Sequence, residues 1–327
     1  MAVDSANILE HLKTPALIVT KGQVRFANRA AMTLLGGHIV GQDVRIAVRD
    51  PAAIEVILGE GGGSARVQGL SIGGSDWEVD CLILNNNDRL VCLYDLSVQT
   101  SVARSHADFV ANASHELRTP LTNILGYVET LMNPKAGGDE ETRQRFLETI
   151  RHEATRMQTL VSDLMSLSRI EAVKHDAPRQ TVDMVALVRE VSGEFASGTI
   201  ELEANCDTAE IAGDRAQMAQ VLRNLIDNAF KYGKADAPIS ITLEATDTGW
   251  LLVAVKDEGE GIAPEHLPRL TERFYRADTS RSCAAGGTGL GLSIVKHIVE
   301  RHRGRFDITS RQGYGTIASM MLPLRKG

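Results

Sequence analysis

The amino-acid sequence predicts an α+β protein of three domains: a small α/β domain, a helical hairpin and an α/β sandwich. Three observations carry that expectation. Up to about residue 95, short β-rich runs alternate with turn residues and brief helical stretches. From 98 to 171, apolar residues recur every three or four positions through two long runs. From 178 onward, helical and strand patterns alternate, with three glycine-rich punctuation points. A length of 327 residues suffices for two or three separate cores.

In the first region, Ala16-Leu-Ile-Val-Thr20 is a β-rich run, Lys21-Gly22 a turn and Val24-Arg-Phe26 a second strand. Asn28 precedes a helical run from Arg29 to Leu35, closed by Gly36-Gly37. Gly59–Gly63 reads as a loop. Trp77–Leu84 and Arg89–Tyr94 read as a hairpin across Asn85-Asn-Asn-Asp88. A five-stranded sheet with small helices on one face suits this order.

In the second region, Phe109, Ala113, Leu117, Leu121, Ile124, Val128 and Leu131 mark one face of a long helix, broken at 133–138. A second helix carries its own apolar stripe from Phe146 to Leu167. Such a hairpin leaves its stripe exposed, and pairing two copies into a four-helix bundle buries it, which predicts a homodimer. In the third region, Met184–Phe195, Arg215–Tyr232 and Leu290–His302 read as helices. Ile239–Ala245, Trp250–Lys256 and Gly315–Leu322 read as strands.

Composition narrows the function. With 43% hydrophobic and 24% charged residues, the chain reads as ordinary globular protein without long disorder. A net charge of −7 gives no electrostatic support for nucleic-acid binding. The four cysteines (Cys81, Cys92, Cys206 and Cys283) form no CxxC pair and no zinc spacing, and read as idle thiols of a reducing compartment. No secretory signal and no continuous apolar run of membrane-spanning length is legible, so a soluble, cytoplasmic protein is expected.

Four motifs carry chemistry. In Phe109-Val-Ala-Asn-Ala-Ser-His-Glu-Leu-Arg-Thr-Pro-Leu-Thr122, His115 points away from the apolar stripe, Glu116 is adjacent and Thr119 lies one turn on. An imidazole beside a carboxylate is poised to act as a nucleophile. Taken alone, a solvated surface histidine is the plainer reading. Pro120 removes a helical hydrogen bond just past it, where a kink is expected. On the next motif, Asn224, Asn228 and Lys231 share one polar edge of an apolar helix. Amide oxygens there suit a hydrated Mg²⁺ and the lysine suits phosphate, although a solvated helix face explains the pattern equally well in isolation. Asp257-Glu-Gly259-Glu-Gly261 ends an apolar strand with a carboxylate able to accept from an exocyclic amine such as that of adenine, while its glycines admit close approach. A plain strand-to-loop turn would explain it alone. Gly286-Gly-Thr-Gly289-Leu-Gly291 opens a helix, as phosphate-binding loops do. It is neither a Rossmann fingerprint nor a Walker A motif.

In this order, with Arg273-Phe-Tyr-Arg276 between the last two, the motifs resemble those of the sensor histidine kinases of two-component systems. The resemblance covers about residues 100–327. Residues 264–297 are most similar to the phosphate-regulon sensor kinases, and 1–95 resemble a PAS domain, with Asp95-Leu-Ser97 at its exit into a helix. The resemblance implies a PAS-like sensor domain over 1–97, a dimerisation and histidine-phosphotransfer domain over 98–175, and a Bergerat-type ATP-binding domain over 176–327. It implies a protein-histidine kinase using ATP and Mg²⁺. His115 is then the acceptor, Glu116 its base and Thr119 the residue that aligns water for dephosphorylating the regulator. The nucleotide would be bound by Asn224, Asn228, Lys231, Tyr232, Asp257, Gly259, Gly261, Phe274, Arg276, Gly287, Thr288, Gly289, Leu290 and Gly291, with Asn228 as the metal ligand. The implied partners are the receiver domain of a cognate response regulator, a second copy of the chain, and a phosphate-transport or PhoU-type adaptor at the PAS-like domain. Phosphate-regulon sensors commonly carry membrane helices ahead of that domain. Inner-membrane association is therefore the expectation if an N-terminal anchor has been removed. Two other readings stay open: a sensor acting mainly as a phosphatase, and an ATP-gated conformational or scaffold protein built on a Bergerat ATPase domain.

Overall fold

The computed structural model describes residues 9–70, 75–85, 88–133, 139–173, 176–195, 199–277 and 287–325. Cys283 and Gly286 lie outside the described residues. The chain divides into two compact units, Met1–Ala111 and Asn112–Gly327.

The first unit is built on an antiparallel sheet of order β2-β1-β5-β4-β3. Its strands are β1 (Ala16–Thr20), β2 (Gln23–Ala27), β3 (Gly63–Gln68), β4 (Asp76–Asn85) and β5 (Asp88–Asp95). The β1–β2 turn needs two residues in the left-handed region, and Lys21 (φ 49°) and Gly22 (φ 79°) supply them. Three short helices, α1 (Arg29–Leu35), α2 (Val44–Ala47) and α3 (Pro51–Leu58), help to cover a core that includes Leu17, Ile57, Val79 and Leu93. Asn28 sits fully buried at the start of α1. Its Oδ1 accepts from the N–H groups of Ala31 (2.9 Å) and Ala16 (3.0 Å), so one side chain caps a helix and ties it to the sheet. The expected five-stranded sheet is present. Gly63, read as loop, instead begins β3, and α2 and α3 fall in a stretch where no element was read.

Helix α4 (Ser97–Met132) follows β5, and the Asp95 carboxylate accepts from the Ser97 N–H at 2.8 Å. The helix continues through Pro120. Helix α5 (Glu140–Ala172) is capped by Asp139, whose Oδ1 accepts from the Thr142 N–H at 2.6 Å. Within the second unit, Tyr127 packs on Phe146 with ring centroids 5.1 Å apart, joining the two helices. Their apolar stripe is left exposed at Leu121, Leu125, Val128, Val161 and Met165. Among the described residues, no helix is long and apolar enough to cross a membrane.

The remaining elements are β6 (Thr181–Asp183), α6 (Met184–Gly193), β7 (Ile200–Ala204), β8 (Glu210–Ala212), α7 (Arg215–Tyr232), β9 (Ile239–Ala245), β10 (Trp250–Asp257), α8 (Gly291–Arg301), β11 (Arg305–Arg311) and β12 (Gly315–Pro323). The main sheet runs β11-β12-β10-β9-β7, antiparallel except for the β7–β9 pair. Strands β9 and β10 alternate buried and half-buried residues, the pattern of a sheet with one covered face. Leu222, Ile226, Ile294 and Ile298 from α7 and α8 are fully buried in that layer. The expected helices and strands of the region are present, and β6, β7, β8 and β11 lie where the sequence pattern predicts no element.

His302 locks the ends of two helices together. Its Nε2 accepts from the Asp214 N–H at 2.9 Å, so Nδ1 carries the proton and donates to the Ile298 carbonyl at 2.8 Å. Burial holds its pKa below the ordinary value of about 6.5. In the window beneath 6.5 the unfolded chain therefore takes up a proton that the folded chain refuses. Stability falls as pH drops through that window and levels off below the folded pKa. The urea midpoint of the wild type is expected to decline more steeply below pH 6.5 than that of His302→Gln. Parallel declines would contradict this.

Candidate active site

Three segments meet at one end of the sandwich: the C-terminal half of α7, the end of β10 and the loop leading into α8. Their closeness is legible in the glycines. A Cβ on Gly259 would lie 2.2 Å from the Tyr232 carbonyl oxygen, and one on Gly289 would lie 2.9 Å from the Phe274 backbone. Asn224 Nδ2 donates to the Gly291 carbonyl at 3.4 Å, joining α7 to the start of α8.

Asp257 is 8% exposed, and burial pushes its carboxyl pKa up. The N–H groups of Gly259 (2.8 Å) and Thr316 (3.3 Å) both donate to Oδ1 and oppose that shift. Both bonds fall on one oxygen, which leaves Oδ2 to accept from a ligand amine. Gly261 has φ 69°, and a Cβ there would lie 2.1 Å from the Arg311 carbonyl oxygen, so the backbone itself requires glycine.

On α7, Asn224 and Asn228 lie one turn apart and both are half-buried. Lys231 Nζ pairs with Asp227 Oδ2 at 2.6 Å, a contact that an incoming phosphate would compete for. Tyr232 is exposed at the helix end. Gly287, Thr288, Gly289 and Leu290 form the approach to α8. Leu290 is fully buried and anchors the loop, while Gly289 takes φ 72°. The Phe274 N–H donates to the Gly289 carbonyl at 2.9 Å. Arg276 has Nε and Nη2 buried without a hydrogen-bond partner among the described residues.

Two buried guanidinium nitrogens without a partner among the described residues are costly unless an anion meets them. Those donors, the glycine-lined approach and the free Asp257 oxygen fit an adenine nucleotide. Among the described residues, no group of three His, Cys, Asp or Glu side chains could hold a metal. A magnesium ion arriving with the phosphates would be met by the amide oxygen of Asn228 and by water.

The histidine motif stands apart from these segments. His115 and Thr119 are exposed on α4. Glu116 accepts from Arg156 Nη2 of α5 at 3.2 Å, so its carboxylate is held by that guanidinium. Thr119 Oγ1 donates to the His115 carbonyl at 3.3 Å. Thr122 and Thr130 make the same back-bond, a general habit of helical threonines. Among the described residues, no hydrogen bond or ion pair joins His115, Glu116 or Thr119 to the glycine-lined cleft.

Sequence reasoning missed Asp163. This α5 carboxylate accepts from Thr288 Oγ1 at 2.8 Å, and burial raises its pKa. It lies 125 residues from Thr288 inside an unbroken amphipathic helix, with no local signal of its role. Further contacts bind α5 and the sandwich: Ser166 Oγ with Gln220 Oε1 at 2.9 Å, and Glu171 with Arg273.

Residues 105–173 match the His Kinase A (phospho-acceptor) domain, and residues 213–326 match the histidine kinase-, DNA gyrase B- and HSP90-like ATPase family. The chain is 39% identical over 243 residues to the phosphate regulon sensor protein PhoR of Pseudomonas aeruginosa, covering 72% of this chain and 54% of that protein. It is 34% identical over 239 residues to the sensor protein SrrB of Staphylococcus aureus, covering 72% of this chain and 41% of that protein. The chain thus spans about half the length of the curated relatives it matches. Among solved structures, the Acinetobacter baumannii histidine kinase AdeS aligns with TM-score 0.50 at 26% identity, over 65% of this chain and 98% of that one. The histidine kinase ThkA, solved in complex with the response regulator protein TrrA, aligns over 98% of both chains with TM-score 0.53 at 20% identity, a likeness of fold alone.

Proposed function

We propose that this chain, which belongs to the sensor histidine kinases by its phospho-acceptor and ATPase domains, phosphorylates itself on His115 with ATP and passes the phosphoryl group to an aspartate of a response regulator. The reading is carried by the presence, in one chain, of a histidine exposed on a helix and of α7, the end of β10 and the glycine-rich approach to α8 brought together around the buried Asp257. Asp257 Oδ2 accepts from the adenine amine. Lys231, Arg276 and the Gly287–Gly291 backbone receive the phosphates. Asn228, supported by Asn224, would hold a magnesium ion, which when bound would supply charge neutralisation on the phosphate oxygens. In the transfer, a ring nitrogen of His115 forms the bond to the γ-phosphorus as the bond to the β-bridging oxygen breaks. ADP leaves with that electron pair, and the proton on the other ring nitrogen passes to Glu116. Positioning and neutralisation are most of what such a reaction requires. The Arg156 contact falls on Glu116 Oε2 and leaves Oε1 to take that proton.

The chain acts as a homodimer, because pairing the exposed α4 and α5 stripes buries apolar surface that one copy leaves in water. Sedimentation of the full chain at the mass of a single 35.4 kDa copy would contradict that. The first unit is a PAS-like sensor. Its five-stranded sheet with three short helices, and the direct run from β5 through Asp95-Leu-Ser97 into α4, support this. Similarity to a phosphate regulon sensor protein supports service in phosphate regulation. The alternative of an ATP-gated scaffold leaves the exposed His115 without a task.

Thr119 extends the reading to dephosphorylation. Its hydroxyl lies one turn from His115 on an exposed face, which supports a role in holding a water against a regulator's aspartyl phosphate. With one purified regulator, Thr119→Ala is expected to transfer phosphoryl groups near the wild-type rate but to lose most of the phosphatase activity. If both activities fall together, Thr119 serves only to back-bond the helix.

A further inference from the structure

Each of the first three residues in Arg273-Phe-Tyr-Arg276 is tethered within the fold. Arg273 pairs with Glu171 of α5, and the Phe274 N–H bonds the Gly289 carbonyl at 2.9 Å. Tyr275 is held twice: its hydroxyl lies 2.7 Å from His266 Nδ1, and the Arg269 guanidinium carbon sits 4.1 Å from its ring centroid. The Arg269 Nε in turn donates to Glu272 Oε2 at 3.1 Å. Arg276 alone keeps two buried guanidinium nitrogens without partners among the described residues.

A loop free to move would turn those nitrogens toward water, since leaving charged donors dry and unpaired costs more than a loop rearrangement. Something therefore holds the backbone beside Arg276. On one side stands Phe274, whose φ of 63° is strained for a non-glycine residue and is stabilised by its bond to Gly289. Immediately before Arg276 stands Tyr275, fixed at its hydroxyl and on its face.

We propose that Tyr275, clamped by His266 and Arg269, is a positioning residue that holds Arg276 pre-organised for the phosphates of the nucleotide. None of the three clamp residues is among those assigned to the nucleotide above. The inference rests on the nucleotide-binding part of the proposed function and adds to it the device that keeps its guanidinium in place. A cation over an aromatic face combined with a hydroxyl–imidazole bond fixes a ring more tightly than either contact alone.

The test is a double-mutant cycle on Mg²⁺-ATP affinity, measured by calorimetry on the full chain. Tyr275→Ala is expected to weaken binding about tenfold, through loss of Arg276 pre-organisation. Arg276→Ala is expected to weaken it at least as much, and the double variant no further than Arg276→Ala alone. Tyr275→Phe keeps the ring under Arg269 and removes only the bond to His266, so it should show a smaller loss of the same kind. Additive losses would overturn the clamp, because Tyr275 would then act independently of Arg276. Weakened binding accompanied by an equal fall in the melting temperature of the nucleotide-free protein in both Tyr275 variants would also overturn it, as a merely structural role. Absence of ATP binding by the wild type would overturn the clamp together with the nucleotide reading. Binding without label on His115 would overturn only the kinase reading, and the cycle would still decide the clamp.

Discussion

His115→Ala is expected to take up no label from γ-³²P-ATP while binding Mg²⁺-ATP with an affinity within about twofold of wild type. The side chain is exposed on α4 and makes no hydrogen bond or ion pair to the cleft among the described residues, so its loss removes the acceptor and little else. Truncation at such a surface position shifts stability by about 0.5 kcal/mol or less. The two readouts therefore separate: phosphorylation disappears and nucleotide binding stays. Calorimetry and labelling on the same preparation check this. Label retained by the variant would move the acceptor elsewhere.

Asp257→Asn should do the reverse of what its mildness suggests. The asparagine keeps an oxygen for the N–H groups of Gly259 and Thr316, which now bond Oδ1. It also replaces Oδ2 with an amide that donates, so two donors face each other where the adenine amine enters. Losing a hydrogen bond to a buried charged group costs about 1.5–3 kcal/mol, and an affinity loss of about 10- to 100-fold follows. Burial already raises the carboxyl pKa, so ionised Asp257 is a burden on the nucleotide-free fold and the neutral amide relieves it. The variant is expected to melt at or above the wild-type temperature at neutral pH and to bind Mg²⁺-ATP poorly. Equal ATP affinity would remove Asp257 from the base site.

Both residues were legible in the sequence because local pattern and chemistry coincide there. Asp257 terminates an apolar strand and precedes spaced glycines, and the pairings of β10 with β9 and β12 explain why that carboxylate ends up buried. The long helices were legible from three-to-four spacing running from Phe109 to Leu131 and from Phe146 to Leu167. Strand β11 was not, since Arg305-Phe-Asp-Ile-Thr-Ser-Arg311 exposes every second residue and carries only two strongly apolar ones. Strand β7 is likewise short, and much of its surface is polar and exposed. What no local pattern reveals is a contact made by topology. Asp163 reaches Thr288 only because α5 packs against α8, and the His266–Tyr275 bond joins residues nine apart across an irregular turn. The orphan nitrogens of Arg276 are equally invisible until burial is known.

The chemistry of the phosphorylated side chain decides whether His115 is the acceptor. Full-length protein incubated with γ-³²P-ATP and Mg²⁺ is split between acid and alkali, and the labelled peptide is located. Acid is expected to remove the label and alkali to spare it, and the label is expected to map to the peptide containing His115. Acid-stable label, label on any other peptide, or no incorporation by protein that binds ATP would contradict that role.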